Sequence, residues 1–184
     1  MKRMHGTLIF SLCLALLFCY AGSAKAESSQ SNGAPTSAHL DFRITIPTIL
    51  YLQVGTVGAT VDRVTFAVVN LPGTGPVAGT SSGANPVPVR VAALVGAAST
   101  VTLRADSSTA LNDGSGHTIP FDQISWTASG NFTGNTFSGT ANQQLDQFTG
   151  PGNRTGTYTF SYANANYYPT GTYDGTVTYT LSSP

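Results

Sequence analysis

From His39 to Ile46, polar and apolar residues alternate one for one. Leu40, Phe42, Ile44 and Ile46 alternate with His39, Asp41, Arg43 and Thr45, a period of two that places successive side chains on opposite faces of a strand. Residues 39–46 therefore read as a half-buried strand. After Pro47 the pattern resumes in Leu50, Leu52 and Val54. It returns in Val64, Phe66 and Val68, in Val87, Val89 and Val91, and in Val101 and Leu103. Ile119, Phe121, Ile124 and Trp126 follow, then Tyr158, Phe160 and Tyr162. In the last run, Tyr173, Val177, Tyr179 and Leu181 oppose Thr172, Asp174, Thr176, Thr178 and Thr180. The stretches NLPGTGP, TSSGANP, NDGSG, TGPGNRTG and ANANYYPTG lie between these runs and carry turn chemistry.

Apolar residues at helical spacing are absent from every run free of Gly, Pro and β-branched residues. The expectation is an all-β domain of roughly eight or nine short strands, built as an immunoglobulin-like antiparallel β-sandwich with Greek-key connections. One-sided alternation suits a closed β-barrel as well, and that is the structural alternative.

The first residues have a different character. MKRMHG is basic, TLIFSLCLALLFCYAG is apolar, and Ala24-Lys25-Ala26 offers small residues where a signal peptidase reads them. Residues 1–26 are read as a signal peptide and Glu27 as the mature start. The expected destination is the periplasm, the cell surface (as a fimbrium) or the outside of the cell. Residues 27–38, ESSQSNGAPTSA, have too little apolar surface to offset their own ordering and read as a flexible leader. Residues 39–184 read as one sandwich domain.

Cleavage at that point leaves a chain without Cys, Met or Lys. With no disulfide, stability has to come from packing and sheet hydrogen bonds, and neither a thiolate metal site nor a cysteine nucleophile is available. Five arginines (43, 63, 90, 104 and 154) stand singly against eight acidic residues. Without a basic patch, neither nucleic acid nor an anionic membrane surface is an expected partner.

Candidate chemistry is sparse. In NDGSGH, Asp113 and His117 are the most site-like pair, but Asn112 and Asp113 fall short of the six to eight oxygens calcium takes. The stretch reads as a hairpin connection. A serine triad would need His39 or His117, and there is no G-x-S-x-G elbow. No catalytic residue, metal site or cofactor is assigned. Alternation assigns most aromatic residues to the interior or to cross-strand pairs. Tyr167 and Tyr168, in the loop ANANYYPTG, are the candidate ligand contacts of a secreted or periplasmic glycan- or protein-binding module, the second functional reading.

The final run, PTGTYDGTVTYTL, resembles the closing segment of bacterial fimbrial-subunit and spore-coat-U-like sandwich domains, with Gly171, Tyr173, Gly175, Val177 and Tyr179 in the matching places. The N-terminal side is similar too: an alternating segment rich in isoleucine, a proline, then an apolar strand leading to Gly55. The chain departs from many relatives in having no disulfide after processing and in ending Leu181-Ser182-Ser183-Pro184. The resemblance implies a non-enzymatic subunit of a surface fibre, with other copies or related subunits, a periplasmic chaperone and an usher as partners. It also gives the opening segment a role. In strand donation, an extended peptide bonds along an open sheet edge and seats alternate side chains in pockets. Leu40, Phe42, Ile44 and Ile46 are the donor-strand candidates, with Pro47 interrupting the ladder where a donor would leave its own domain. The competing reading makes residues 39–46 the domain's own first strand.

Overall fold

The structure, a computed structural model, describes residues 28–58 and 60–184. The signal peptide read over residues 1–26 and the start at Glu27 lie outside the described residues. The chain divides into two units, Met1–Thr45 and Ile46–Pro184. In the first, residues 28–45 form no strand and are exposed.

The second unit is all-β and has no α-helix among its described residues. Its strands are β1 (Ile49–Val54), β2 (Val64–Phe66), β3 (Val77–Ser81), β4 (Val87–Leu94), β5 (Thr100–Asp106), β6 (Leu111–Asn112), β7 (Thr118–Ile119), β8 (Ile124–Ala128), β9 (Asn135–Thr136), β10 (Gln143–Thr149), β11 (Gly152–Tyr162) and β12 (Thr178–Ser182). Every pairing is antiparallel. None of the sheets closes on itself, which removes the barrel alternative.

β11 organises the larger sheet. One edge pairs with β8, from Tyr158↔Ala128 to Tyr162↔Ile124. The other pairs first with β4, from Gly152↔Ala93 to Tyr158↔Val87, and then with β3 at Ser161↔Ala78 and Tyr162↔Val77. β3 and β4 are therefore two lengths of one interrupted strand. β1 and β2, which pair with β4 and β3, are two lengths of the next. The two interruptions fold over each other. Thr56 N–H donates to Asp62 Oδ2 at 2.6 Å, and Ala84 N–H donates to Thr56 Oγ1 at 2.9 Å. Gly83 is needed there because a Cβ would collide with both the Thr56 hydroxyl and the Asp62 carboxylate.

The smaller sheet has the order β10-β5-β12. The inner faces of both sheets meet in one core, including Val87, Val89, Val91, Leu103, Ala105, Ile124, Trp126, Tyr158 and Phe160. This is the two-layer packing that half-buried antiparallel sheets adopt. Trp126 sits at its centre, with ring centroids 4.7 Å from Phe137 and 5.5 Å from Tyr158.

Several elements differ from the sequence expectation. The run from Thr118 to Trp126 is broken by a 3-10 turn at Phe121–Gln123. β11 begins at Gly152, inside a stretch expected to be a turn. In the last run only Thr178–Ser182 joins a sheet, with Asp174 held by a bridge to Asn112. The strand expected to carry Val68 inward stops at Phe66, leaving Val68 exposed. β10 was not anticipated.

Candidate functional site

The core is unevenly covered, and the thin side is where β1 and β12 meet. Each is an end strand of its sheet. On β4, Val91 is fully buried and Ala93 nearly so, whereas their cross-strand neighbours on β1, Leu52 and Leu50, are only partly covered. On β5, Leu103 and Ala105 are buried, while their partners on β12, Leu181 and Tyr179, are only partly buried against the core. Burial therefore fades within one strand on both sheets and on the same side of the sandwich. Tyr179 is still dry enough that loss of water, reinforced by the neighbouring Tyr158, pushes its phenol well above the usual range.

Two unpaired edges along a half-covered core are a hazard that folded proteins normally blunt or cover. Cα atoms of β1 and β12 approach within 8 Å, which is less than the roughly 9.6 Å separating two strands that flank a third. A strand entering this seam would first have to part the two edges. It would then bond to both and cover Leu50, Leu52, Val54, Val177, Tyr179 and Leu181.

The donor candidates are themselves uncovered. Leu40, Phe42, Ile44 and Ile46 are 76%, 86%, 86% and 72% exposed, and among the described residues no strand pairs with residues 39–46. Alternation over those residues thus makes no strand in the single chain. Transferring each such side chain from water to an apolar site contributes about 1.5–3 kcal/mol.

The other sequence candidates converge on a second locus. The hairpin β6–β7 is formed, and the loop between its strands is held from within. Asp113 Oδ1 accepts from the N–H groups of Ser115 and His117, at 2.8 and 3.1 Å, while Asp113 Oδ2 lies 2.7 Å from His117 Nδ1. The bond to the His117 ring, followed by the Ser115 N–H, holds the Asp113 carboxyl below the usual carboxylate range. The backbone groups of Asn112 and Asp174 exchange two hydrogen bonds of 3.0 Å, which brings the C-terminal segment onto this hairpin. Tyr168 is half-buried edge-on to Tyr173, whose hydroxyl donates to the Pro169 carbonyl at 2.8 Å. Tyr167 is 78% exposed. The structure thus separates the two candidate tyrosines: Tyr168 is engaged in packing, and Tyr167 faces solvent.

The sequence singles out Leu40, Phe42, Ile44 and Ile46 but as one face of a half-buried strand, which does not form here, and it does not show the seam. The alternation of Leu50, Leu52 and Val54 and of Val177, Tyr179 and Leu181 was visible. Only strand order reveals that both runs end up on sheet edges beside each other.

In comparisons with known proteins, no family model, no curated protein and no solved structure matches this chain. The functional reading therefore rests on the geometry of this molecule.

Proposed function

We propose that the protein is an exported, non-enzymatic structural subunit that polymerises at the cell surface by lending residues 39–46 to the β1–β12 seam of another copy. The observation that carries the reading is the match between an uncovered four-knob segment and an under-covered two-edged seam in one chain. The segment is also long enough to run the length of β1. Eight residues extended span about 26 Å, and the six residues of β1 span about 20 Å.

Self-closure is disfavoured by local stereochemistry. The shortest return would pair Ile46 with Ile49 through a loop of Pro47 and Thr48. The favoured two-residue hairpin turns need positive φ at the first loop position, which proline cannot adopt. The side-chain parity is also wrong. Residues directly opposite each other share a face, and Ile49 is on the face away from the core, so all four knobs would be turned outward. Pairing Ile46 with Leu50 corrects the parity. The three-residue loop it requires would commonly put Ile49, a β-branched residue, in the left-handed region that such residues avoid.

The test is a comparison of the full chain with one lacking residues 27–46. The full chain should run as a ladder of SDS-resistant species that collapses on boiling, and the shortened chain should stay folded and run as a monomer. A full chain that never forms a ladder, or a shortened chain that polymerises normally, would overturn the proposal. Exposure of Tyr167 supports the binding-module reading, for which Tyr167→Ala should abolish binding on a glycan array.

A further inference from the structure

The strand β1 is apolar on both faces, and its outer face is unexplained by the seam. Ile49 and Tyr51 point away from the core, paired with Leu94 and Ala92 of β4. Ile49, Tyr51 and Leu94 are 48%, 42% and 45% exposed. With Pro151 and Asn153 they border a shallow depression of about 480 Å³. Arg90 closes one side, its guanidinium carbon 5.3 Å from the centre of the Tyr51 ring and its Nε–H donating to Asn153 Oδ1 at 3.1 Å. Farther across the same face, β11 shows the ordinary polar exterior of Thr155, Thr157 and Thr159. The apolar set is therefore local to the start of β1, where the chain arrives from the donor segment.

We infer that this outer face of β1 and β4 is the surface on which a subunit rests against the copy that holds its donor strand. The inference depends on the proposed strand donation and adds a second, side-by-side contact to it. Chain length carries it. Only Pro47 and Thr48 lie between Ile46 and Ile49, so three Cα steps limit their separation to about 10 Å. If Ile46 is seated in a neighbour's seam, Ile49 cannot be far from that neighbour's surface. Proline at 47 further restricts how the connection can swing. Ile49 is thus brought next to a second copy by covalent geometry, with Leu94 directly across from it and Tyr51 two residues farther along β1, and apolar surface held there is buried at little further cost in chain freedom.

The inference is tested on polymers of the full chain. Hydroxyl-radical labelling should modify Tyr51 several-fold more slowly in the polymer than in the monomer, with Tyr167 as the solvent-facing reference. A double variant, Ile49→Ser with Leu94→Ser, should keep the SDS-resistant ladder, because no seam-facing side chain is changed, while its fibres in negative-stain micrographs bend freely between subunits. Equal labelling of Tyr51 in the two states would overturn the inference and leave strand donation standing. Unchanged fibres from the double variant would do the same. A wild-type chain with no ladder would remove both proposals. Protection of Tyr51 in the monomer by added oligosaccharides, without protection in the polymer, would assign the face to a glycan and overturn the inference.

Discussion

Arg154 and Asp146 join the two sheets through a single guanidinium nitrogen, which lies 2.8 and 3.0 Å from the two carboxylate oxygens. Arg154 is on β11 and Asp146 on β10, and the same guanidinium lies 4.8 Å from the centre of the Phe148 ring. β10 is the edge of the smaller sheet remote from β12. One side of the sandwich is thus tied by a largely covered ion pair, and the opposite side is the half-covered seam.

That pair should matter more than a surface salt bridge, because removing one partner leaves the other poorly solvated. Asp146→Ala should destabilise the domain by about 1.5–3 kcal/mol. A double-mutant cycle with Arg154→Met should give a coupling of about 0.5–3 kcal/mol. Urea midpoints measure both, and strictly additive losses would show that the two side chains act independently.

Trp126 is held by its shape. Its indole N–H is buried with no hydrogen-bond partner among the described residues, and its ring packs among Phe137, Tyr158 and Phe160. Trp126→Phe, which discards an unsatisfied donor, should cost far less than Trp126→Ala, for which about 3–5 kcal/mol is expected. Equal losses in thermal denaturation would mean that the N–H has a partner in solution.

Filling the seam in solution should stabilise the monomer. A synthetic peptide of residues 38–47, added to the chain lacking residues 27–46, should raise the unfolding free energy by about 2.7 kcal/mol at a hundred times its dissociation constant. A peptide with Ser at positions 40, 42, 44 and 46 should have no effect. One with Ala at 39, 41, 43 and 45 should retain most of it, because only alternate side chains enter pockets.

The Asp113–His117 pair sets a response to acid. A carboxyl depressed by folding adds stability above its unfolded value of about 3.9, and that stability is lost as pH falls through the lower folded value. Because the His117 ring is the main cause, His117→Ala should move the Asp113 midpoint up toward the ordinary value. A carbon-detected NMR titration of the carboxyl reads this directly.

A second response lies at high pH. Burial, with a smaller contribution from Asp146, pushes the Tyr158 phenol up to about 12. A group whose proton is held more tightly in the folded state stabilises fully below its unfolded value, near 10 for tyrosine, and loses that effect as pH climbs through the folded value. Stability should therefore fall between about pH 10 and 12, and Tyr158→Phe should flatten the fall. Tyr179 acts in the same direction, so the fall should not vanish. An unchanged pH profile in Tyr158→Phe would place the titration elsewhere.

The all-β architecture was legible because apolar alternation survives in the strands that face the core: β4 is the clearest case, with its odd-numbered residues buried and Arg90 and Leu94 exposed. β10 escaped because a register shift between Gln144 and Asp146 spaces its inward residues, Leu145 and Phe148, three apart. The first half of β11 was masked by glycines that look like turn residues. At Gly156 the reason is close packing, since a Cβ there would strike the Ser129 carbonyl and the Phe132 ring. The donor candidates were visible as a pattern. Which edges stand open, and that Ile49 and Tyr51 form a second apolar face on β1, depend on pairings between residues far apart in sequence.

The direct passage from the donor segment into β1 has a mechanical consequence. In a fibre built as proposed, a pull along its length would enter each subunit at Ile49 and run lengthwise down β1, at right angles to the rungs that bind it to β4. All the rungs would then share the load in shear, instead of opening one after another as in a zipper. Single-fibre stretching should accordingly find a high, abrupt yield force, and a low sawtooth would contradict it.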